Sequence, residues 1–237
     1  MKLFNRLGTW MTPFRVASIA LLAALLPWQT VTAKTLPIAP VAQSQIAWCW
    51  LASAEMVFRY YRVPPINRIS YQCGLAAAAF ANVSPICVVD CKQCNVGSGT
   101  VENIGTVIVQ YPIVAGQVLG MPVAGLSADV SHDSLSSDDV VDEIDAGRPI
   151  IAGISPHSGL MPPGLSEHAV VIVGYQTRAD TIDVIINDPF PYAQMNMQDP
   201  YTRHGGKALQ PGRYQIPYER LVDDLAWGNS ISGIERQ

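Results

Sequence analysis

Apolar and polar positions divide the chain into stretches of different period. From Val16 to Leu26 eleven residues carry no charge, and Lys2, Arg6 and Arg15 precede them. Val31-Thr32-Ala33 then offers small or modest side chains where a signal peptidase reads, so residues 1–33 are expected to be a secretory signal peptide cleaved after Ala33. Pro27 and the shortness of the run argue against a membrane span, which needs roughly 20 apolar residues. Beyond it Trp50, Ala54, Val57, Phe58 and Tyr61 recur at helical spacing between Trp48 and Arg62, and Pro64-Pro65 stops the run. Ser70 is placed to cap a second helix through Ala81, and Thr100 a third over Val101–Gln110. Between them Ile86–Gly99, with its cysteines and glycines, reads as a stapled loop.

The second half changes character. Val114–Val123 reads as extended, with Gly116 and Gly120 as interruptions. Ser137, Asp138 and Asp139 followed by Val140, Val141 and Ile144 read as a capped helix with acids at its positive end. Gly147 and Pro149 close it. Three β-rich runs follow, Ile150–Ile154, Ala169–Tyr175 and Thr181–Ile186, and a short helix is expected at Tyr218–Leu225. The longest connection is Ser155–Glu167. Helices first and strands later predict an α+β architecture of two lobes, about 41–112 and 113–237, with a cleft between them.

Composition narrows the partners. The 237 residues suit one large domain or two tightly joined lobes. Without residues 1–33 the chain holds 12 Lys and Arg against 19 Asp and Glu, a net charge of −7. There is no basic stripe interleaved with aromatics, which excludes the usual nucleic-acid footprint. No other apolar run is long enough to span a bilayer. The expectation is an exported protein, free of the membrane once its signal is removed, with a monomer as the default state.

Five cysteines in an exported chain leave one over if the rest pair. Cys73, Cys87, Cys91 and Cys94 cluster, and Cys49 stands apart between two tryptophans. An oxidising compartment favours two disulfides within the cluster over a zinc knot, and spacing does not choose among the three connectivities. The count singles out Cys49. It opens the first predicted helix, where unpaired N–H groups and the dipole favour a thiolate, the nucleophilic form. The rival reading is a buried apolar cysteine.

A thiolate needs a base or ion-pair partner. Of His132, His157, His168 and His204, His168 leads the most apolar strand, and the other three lie in glycine- or serine-rich loops. His157 shares the loop leading to His168 and is the nearest competitor. Asn187 or Asp188, ending the neighbouring strand before Pro189, could orient the imidazole. Gln43, six residues before Cys49, could donate its amide to an oxyanion beside the Cys49 N–H.

Taken together, Gln43, Cys49-Trp50 opening a helix, His168-Ala-Val-Val-Ile-Val-Gly-Tyr175 and Ile186-Asn187-Asp188 resemble the papain-like cysteine peptidases. The likeness is closer to small secreted bacterial members with a Cys-His-Asp triad, through Cys49–Met56, Gln72-Cys73 and the cysteine-rich loop that follows. It covers about 41–190 well and the remainder loosely. The resemblance implies a helical lobe carrying the cysteine helix and an antiparallel β lobe carrying His168 and Asp188. It also implies peptide-bond hydrolysis through a Cys49 thioester, with Gln43 in the oxyanion hole. The chain departs from the papain pattern in Ile46-Ala47-Trp48 before the cysteine and in Pro189-Phe190-Pro191 after the third member, leaving Phe190 or Trp227 to shield the imidazole. The short interval from Ala33 to Cys49 leaves no room for a folded inhibitory propeptide.

The implied partner is a protein or peptide substrate, and thiolate chemistry calls for no metal or organic cofactor. Two further classes share these residues. One is a thiol amidase or acyltransferase acting on cell-wall peptides, isopeptide bonds or glutamine side chains. The other is a non-catalytic binding module on the same scaffold.

Overall fold

The helix Cys49–Tyr60 is buried on every side from Cys49 to Phe58. A helix without a solvent face can only be a filling between layers, and the rest of the chain supplies those layers. The computed structural model describes residues 32–97, 99–156, 167–179 and 181–237. In chain order these form β1 (Ala33–Thr35), α1 (Cys49–Tyr60), α2 (Tyr71–Phe80), α3 (Ile86–Val89), a 3-10 turn (Cys91–Cys94), α4 (Val101–Leu119) and β2 (Leu126–Ser131). There follow α5 (Ser137–Asp145), β3 (Ile150–Ile154), β4 (His168–Thr177), β5 (Ile182–Asn187), α6 (Pro200–Arg203), β6 (Lys207–Gln210), β7 (Arg213–Pro217), α7 (Tyr218–Asp223) and β8 (Asn229–Arg236). Of the expected signal peptide 1–33, residues 1–31 lie outside the described residues, as does His157 with most of its loop. Thr32 N donates to Thr177 Oγ1, and Ala33 pairs with Gln176 of β4.

Helices therefore come first and an antiparallel sheet second, the α+β class expected. The sheet runs β2-β8-β3-β4-β5-β7-β6, and β1 pairs with β4 beside the end of β3. The leading residues of β4, His168 to Tyr175, are all buried, so both faces of this strand are covered. Both α1 and α5 pack against it. Ser70 and Thr100 cap α2 and α4 as their spacing predicts, accepting from Cys73 N and Asn103 N.

Two expectations change. Val114–Val123 is not extended: α4 continues through Pro112 to Leu119 and stops at Gly120, whose φ of 64° is left-handed. The buried stripe Ile104, Ile108, Tyr111 and Ala115 keeps helical spacing across the proline, and its burial overrides the β-branched preference of this segment. The cap of α5 is Ser136 rather than Ser137. Ser136 Oγ accepts from Asp139 N at 3.1 Å and donates to Asp139 Oδ2 at 2.6 Å, a reciprocal box that the next serine is out of register to make. Strands β2, β6, β7 and β8 carry too much polar sequence to be foreseen, and β6 is exposed throughout.

The segment before α1 is a strap across the sheet. Thr35 pairs with Gly174, Leu36 N donates to Val173 O, Asn187 Nδ2 donates to Ile38 O and Gln43 N donates to Pro189 O. At Gly174 a Cβ would sit 2.4 Å from Lys34 O and 2.9 Å from Thr35 Cα, both backbone atoms that cannot swing aside. Gly174→Ala therefore displaces β1. We expect a loss of about 1–3 kcal/mol in urea unfolding, and an unchanged midpoint would show that β1 does not need this close approach.

Candidate active site

Cys49 begins α1, where the first-turn N–H groups have no carbonyl inside the helix. It is the free cysteine, 7% exposed at the mouth of a cleft of about 210 Å³. Val101, Ile104, Ile151 and Ile231 give the cleft an apolar lining, and Glu167 and Asn229 add polar groups. Gly99 lies on the same wall: a Cβ there would stand 2.9 Å from Trp50 Cβ, so the loop passes tightly over the tryptophan next to Cys49.

His168 opens β4 and is 1% exposed. Its Nε2 lies 2.6 Å from Asp188 Oδ1. Its Nδ1 is buried with no hydrogen-bonded partner of its own, and the group that interacts with the ring besides Asp188 is the Cys49 sulfur. Helix and strand are pinned together one turn further on: Ser53 Oγ, fully buried, donates to Ala169 O at 3.0 Å. Phe190 meets the imidazole edge-on with ring centroids 6.3 Å apart, while Trp227 packs against Tyr218 instead.

Asp188 is 2% exposed and fully engaged. Oδ1 accepts from Phe190 N at 2.7 Å in addition to its contact with His168. Oδ2 accepts from Tyr201 Oη at 2.8 Å and Tyr192 Oη at 3.1 Å. Asn187, left open beside it by the sequence, faces elsewhere: its side chain donates to Ile38 O and accepts from Arg213 Nε, holding the strap.

The charges reinforce one another. Burial pushes the Cys49 thiol up, but contact with His168 and the N–H groups of Ala169 and Trp50 outweigh it and bring the thiol below its ordinary 9.0. Burial pushes His168 down, but the Asp188 carboxylate and the Cys49 sulfur carry it up from 6.5 to about 10. Thiol and imidazole move toward and past each other, which favours a thiolate–imidazolium pair.

Gln43 is 8% exposed just upstream. Its Nε2 donates to Gln45 O at 3.1 Å and Ile46 O at 2.7 Å, and Oε1 is buried without a partner. Both amide hydrogens are thus spent on the turn that leads into α1. Gln72 grips the residues on either side, donating to Ala42 O and accepting from Ser44 N and Oγ, and it also donates to the buried Glu55 of α1.

The clustered cysteines pair as Cys73–Cys91 and Cys87–Cys94. The loop they close supports the approach to Cys49: Trp48 Nε1 donates to Cys94 O at 2.8 Å and Ala47 N to Asn95 Oδ1 at 3.0 Å. Of the other histidines, His132 pairs with Glu102 and His204 with Asp224, both away from the cleft.

Sequence reading had no signal for Tyr192, Tyr201 or the hydrogen bonds of the loop. Ser53 did carry one, since it lies four residues after Cys49 and so on the same helix face.

The model of the Peptidase C39 like family matches residues 35–216. Among solved structures, digestive procathepsin L 3 of Tenebrio molitor aligns with a TM-score of 0.50 at 12% identity, covering 92% of this chain and 72% of that one. A protein described as a C39-like peptidase from Bacillus anthracis gives a TM-score of 0.45 at 15% identity, covering 86% and 98%. A mite-allergen structure, from work on Blo t 1 and Der p 1, gives 0.44 at 14% identity, covering 84% and 67%. No curated protein matches the sequence. No helix among the described residues is long and apolar enough to cross a membrane.

Two outcomes are expected. Denatured without reductant, the protein should titrate one thiol, mapping to Cys49, and all five cysteines after reduction. Ser53→Ala leaves Ala169 O buried without its donor, and thermal or urea unfolding should register a loss of about 1–3 kcal/mol.

Proposed function

The chain belongs to the Peptidase C39 like family and has a papain-like cysteine peptidase fold, and on that footing we propose that it is an exported enzyme hydrolysing peptide bonds through a Cys49 thioester. The observation that carries this reading is the buried line of Cys49, His168 and Asp188, closed by the 2.6 Å contact between Nε2 and Oδ1. Two disulfides and an apolar N-terminal run after basic residues support export.

In this mechanism the Cys49 thiolate attacks the scissile carbonyl carbon and forms a tetrahedral oxyanion. First-turn N–H groups of α1 stabilise that charge. Gln43 Nε2 joins them by exchanging one of its carbonyl partners, Gln45 O or Ile46 O, for the oxyanion. The His168 imidazolium gives its proton to the departing amine as the carbon–nitrogen bond breaks, leaving the thioester. The neutral imidazole then takes a proton from water, which attacks the thioester and restores the thiolate with release of the carboxylic acid. Asp188 holds the ring so that Nδ1 serves the reacting atoms throughout.

The pH dependence follows from the two shifted groups. The thiolate is lost as pH falls through a thiol value below 9.0, and the imidazolium is lost as pH rises through a value lifted from 6.5 to about 10. A bell-shaped kcat/KM profile is expected, with its alkaline limb well above the ordinary imidazole range. Cys49→Ala should lower turnover roughly 10⁴-fold or more. The purified chain is tested against a denatured protein and against a peptidoglycan preparation, with products read by mass spectrometry. Internal cleavage of the protein chain supports the peptidase. Cleavage or acyl transfer confined to cell-wall peptides, or full activity in Cys49→Ala, overturns it.

A further inference from the structure

Two tyrosines reach the far side of the site without touching its cleft. Tyr201 in α6 and Tyr192 in the preceding turn are 0% and 3% exposed, and both hydroxyls end on Asp188 Oδ2. Their rings are fixed: Tyr201 stacks on Tyr214 at 4.5 Å, and Tyr192 packs against Phe190 at 4.8 Å, the ring that in turn meets His168 edge-on. Burial first, and then the neighbouring carboxylate, push both phenols well above their ordinary 10.0, so they remain donors at every working pH. An ionised carboxylate offers about four lone-pair sites. Here they are taken by His168, Phe190 N, Tyr192 and Tyr201, and the group has no freedom to rotate.

We propose that Tyr201 and Tyr192 are positioning residues of the reaction, neutral donors that keep Oδ1 of Asp188 aimed at His168 and share the carboxylate charge with it. The proposal rests on the peptidase reading and specifies how its imidazolium is tuned. A carboxylate with no other donors would hold the imidazolium so firmly that proton transfer to the leaving amine becomes slow. One that divides its charge among two phenols and a backbone N–H orients the ring and still lets it act as an acid. Nothing but these phenols donates to Oδ2 among the described residues, and the Asp188 side chain has no access to water.

The sign of the effect is fixed by what each protonation state leaves behind. Removing a hydroxyl makes the state with neutral imidazole costlier, because Asp188 then keeps its charge with fewer partners. The imidazolium should therefore persist to higher pH. The charged and titratable groups around this equilibrium are Cys49 from α1, Asp188 after β5 and Glu167 preceding β4 at the cleft. Around Asp188 itself stand Tyr192, Tyr201 and Tyr214, with Asp199 influencing Tyr192 and Tyr214.

The test uses Tyr201→Phe, Tyr192→Phe and the double variant in the full chain. Three readouts are taken: thermal unfolding, the pH dependence of Cys49 alkylation by iodoacetamide, and kcat and KM on a fluorogenic peptide. We expect the upper inflection of alkylation to move to higher pH in each variant and furthest in the double. In Tyr201→Phe, kcat should fall about tenfold while KM changes less than about twofold. Tyr192→Phe, with the longer hydrogen bond, should show a smaller fall. A folded variant whose inflection stays in place, or drops toward the ordinary imidazole value, overturns the proposal. If Tyr201→Phe loses its folded transition, Tyr192→Phe carries the same test. Alkylation needs no peptide, so a shifted inflection in a protein that cleaves nothing supports the positioning role and overturns the peptidase reading alone.

Discussion

A carboxylate sealed from water is the constraint around which this protein is arranged. An unpaired charge in a protein interior costs several kcal/mol, and the interior tolerates it only with charge-assisted hydrogen bonds on every side. Asp188 obtains them from four directions, and each partner accounts for a piece of the fold. The turn Pro189–Pro191 brings Phe190 N back onto it. The excursion 190–203 carries both phenols to Oδ2, and Tyr214 of β7 closes over Tyr201 by stacking. Even the approach of Gly212 is explained, since its carbonyl accepts from Asp188 N. Much of the chain after β5 serves to wrap one side chain.

Cys49 is held by a second, independent set of contacts. α1 has no exposed face along its first ten residues, so Cys49 cannot move without disturbing the core. Ser53 ties the helix to the residue after His168, Gln72 clasps the residues around Gln43, and the disulfide loop grips Ala47 and Trp48. Sulfur and imidazole thus arrive from different elements, α1 and β4, each tied in place by its own contacts.

How much of this was legible in the sequence depends on whether a residue acts locally or at a distance. α1, α2, β3, β4 and β5 announce themselves through period and caps, because those signals lie within a few neighbours. Cys49 and His168 stand at element starts, where local chemistry marks them. Asp188 and Asn187 share the same strand end, and only the strap, which claims Asn187 through Ile38 and Arg213, separates them. Tyr192 and Tyr201 were invisible, since a tyrosine in a polar loop looks the same whether its hydroxyl meets water or a carboxylate. The continuation of α4 past Pro112 was missed for a related reason: the buried stripe that sustains it is defined by what packs against it.

The strap has a consequence in time. Its hydrogen bonds join residues far apart along the chain: Ile38 to Asn187, 149 residues on, and Ile38 to Arg213, 175 on. Closing contacts of such separation costs loop entropy before they contribute, and chains rich in them fold slowly. Cys49 lies 119 residues ahead of His168 and 139 ahead of Asp188, so a chain made N-terminus first carries the thiol well before the groups it meets in the fold. A chain that stops short of β4 holds this cysteine without the imidazole or the carboxylate beside it.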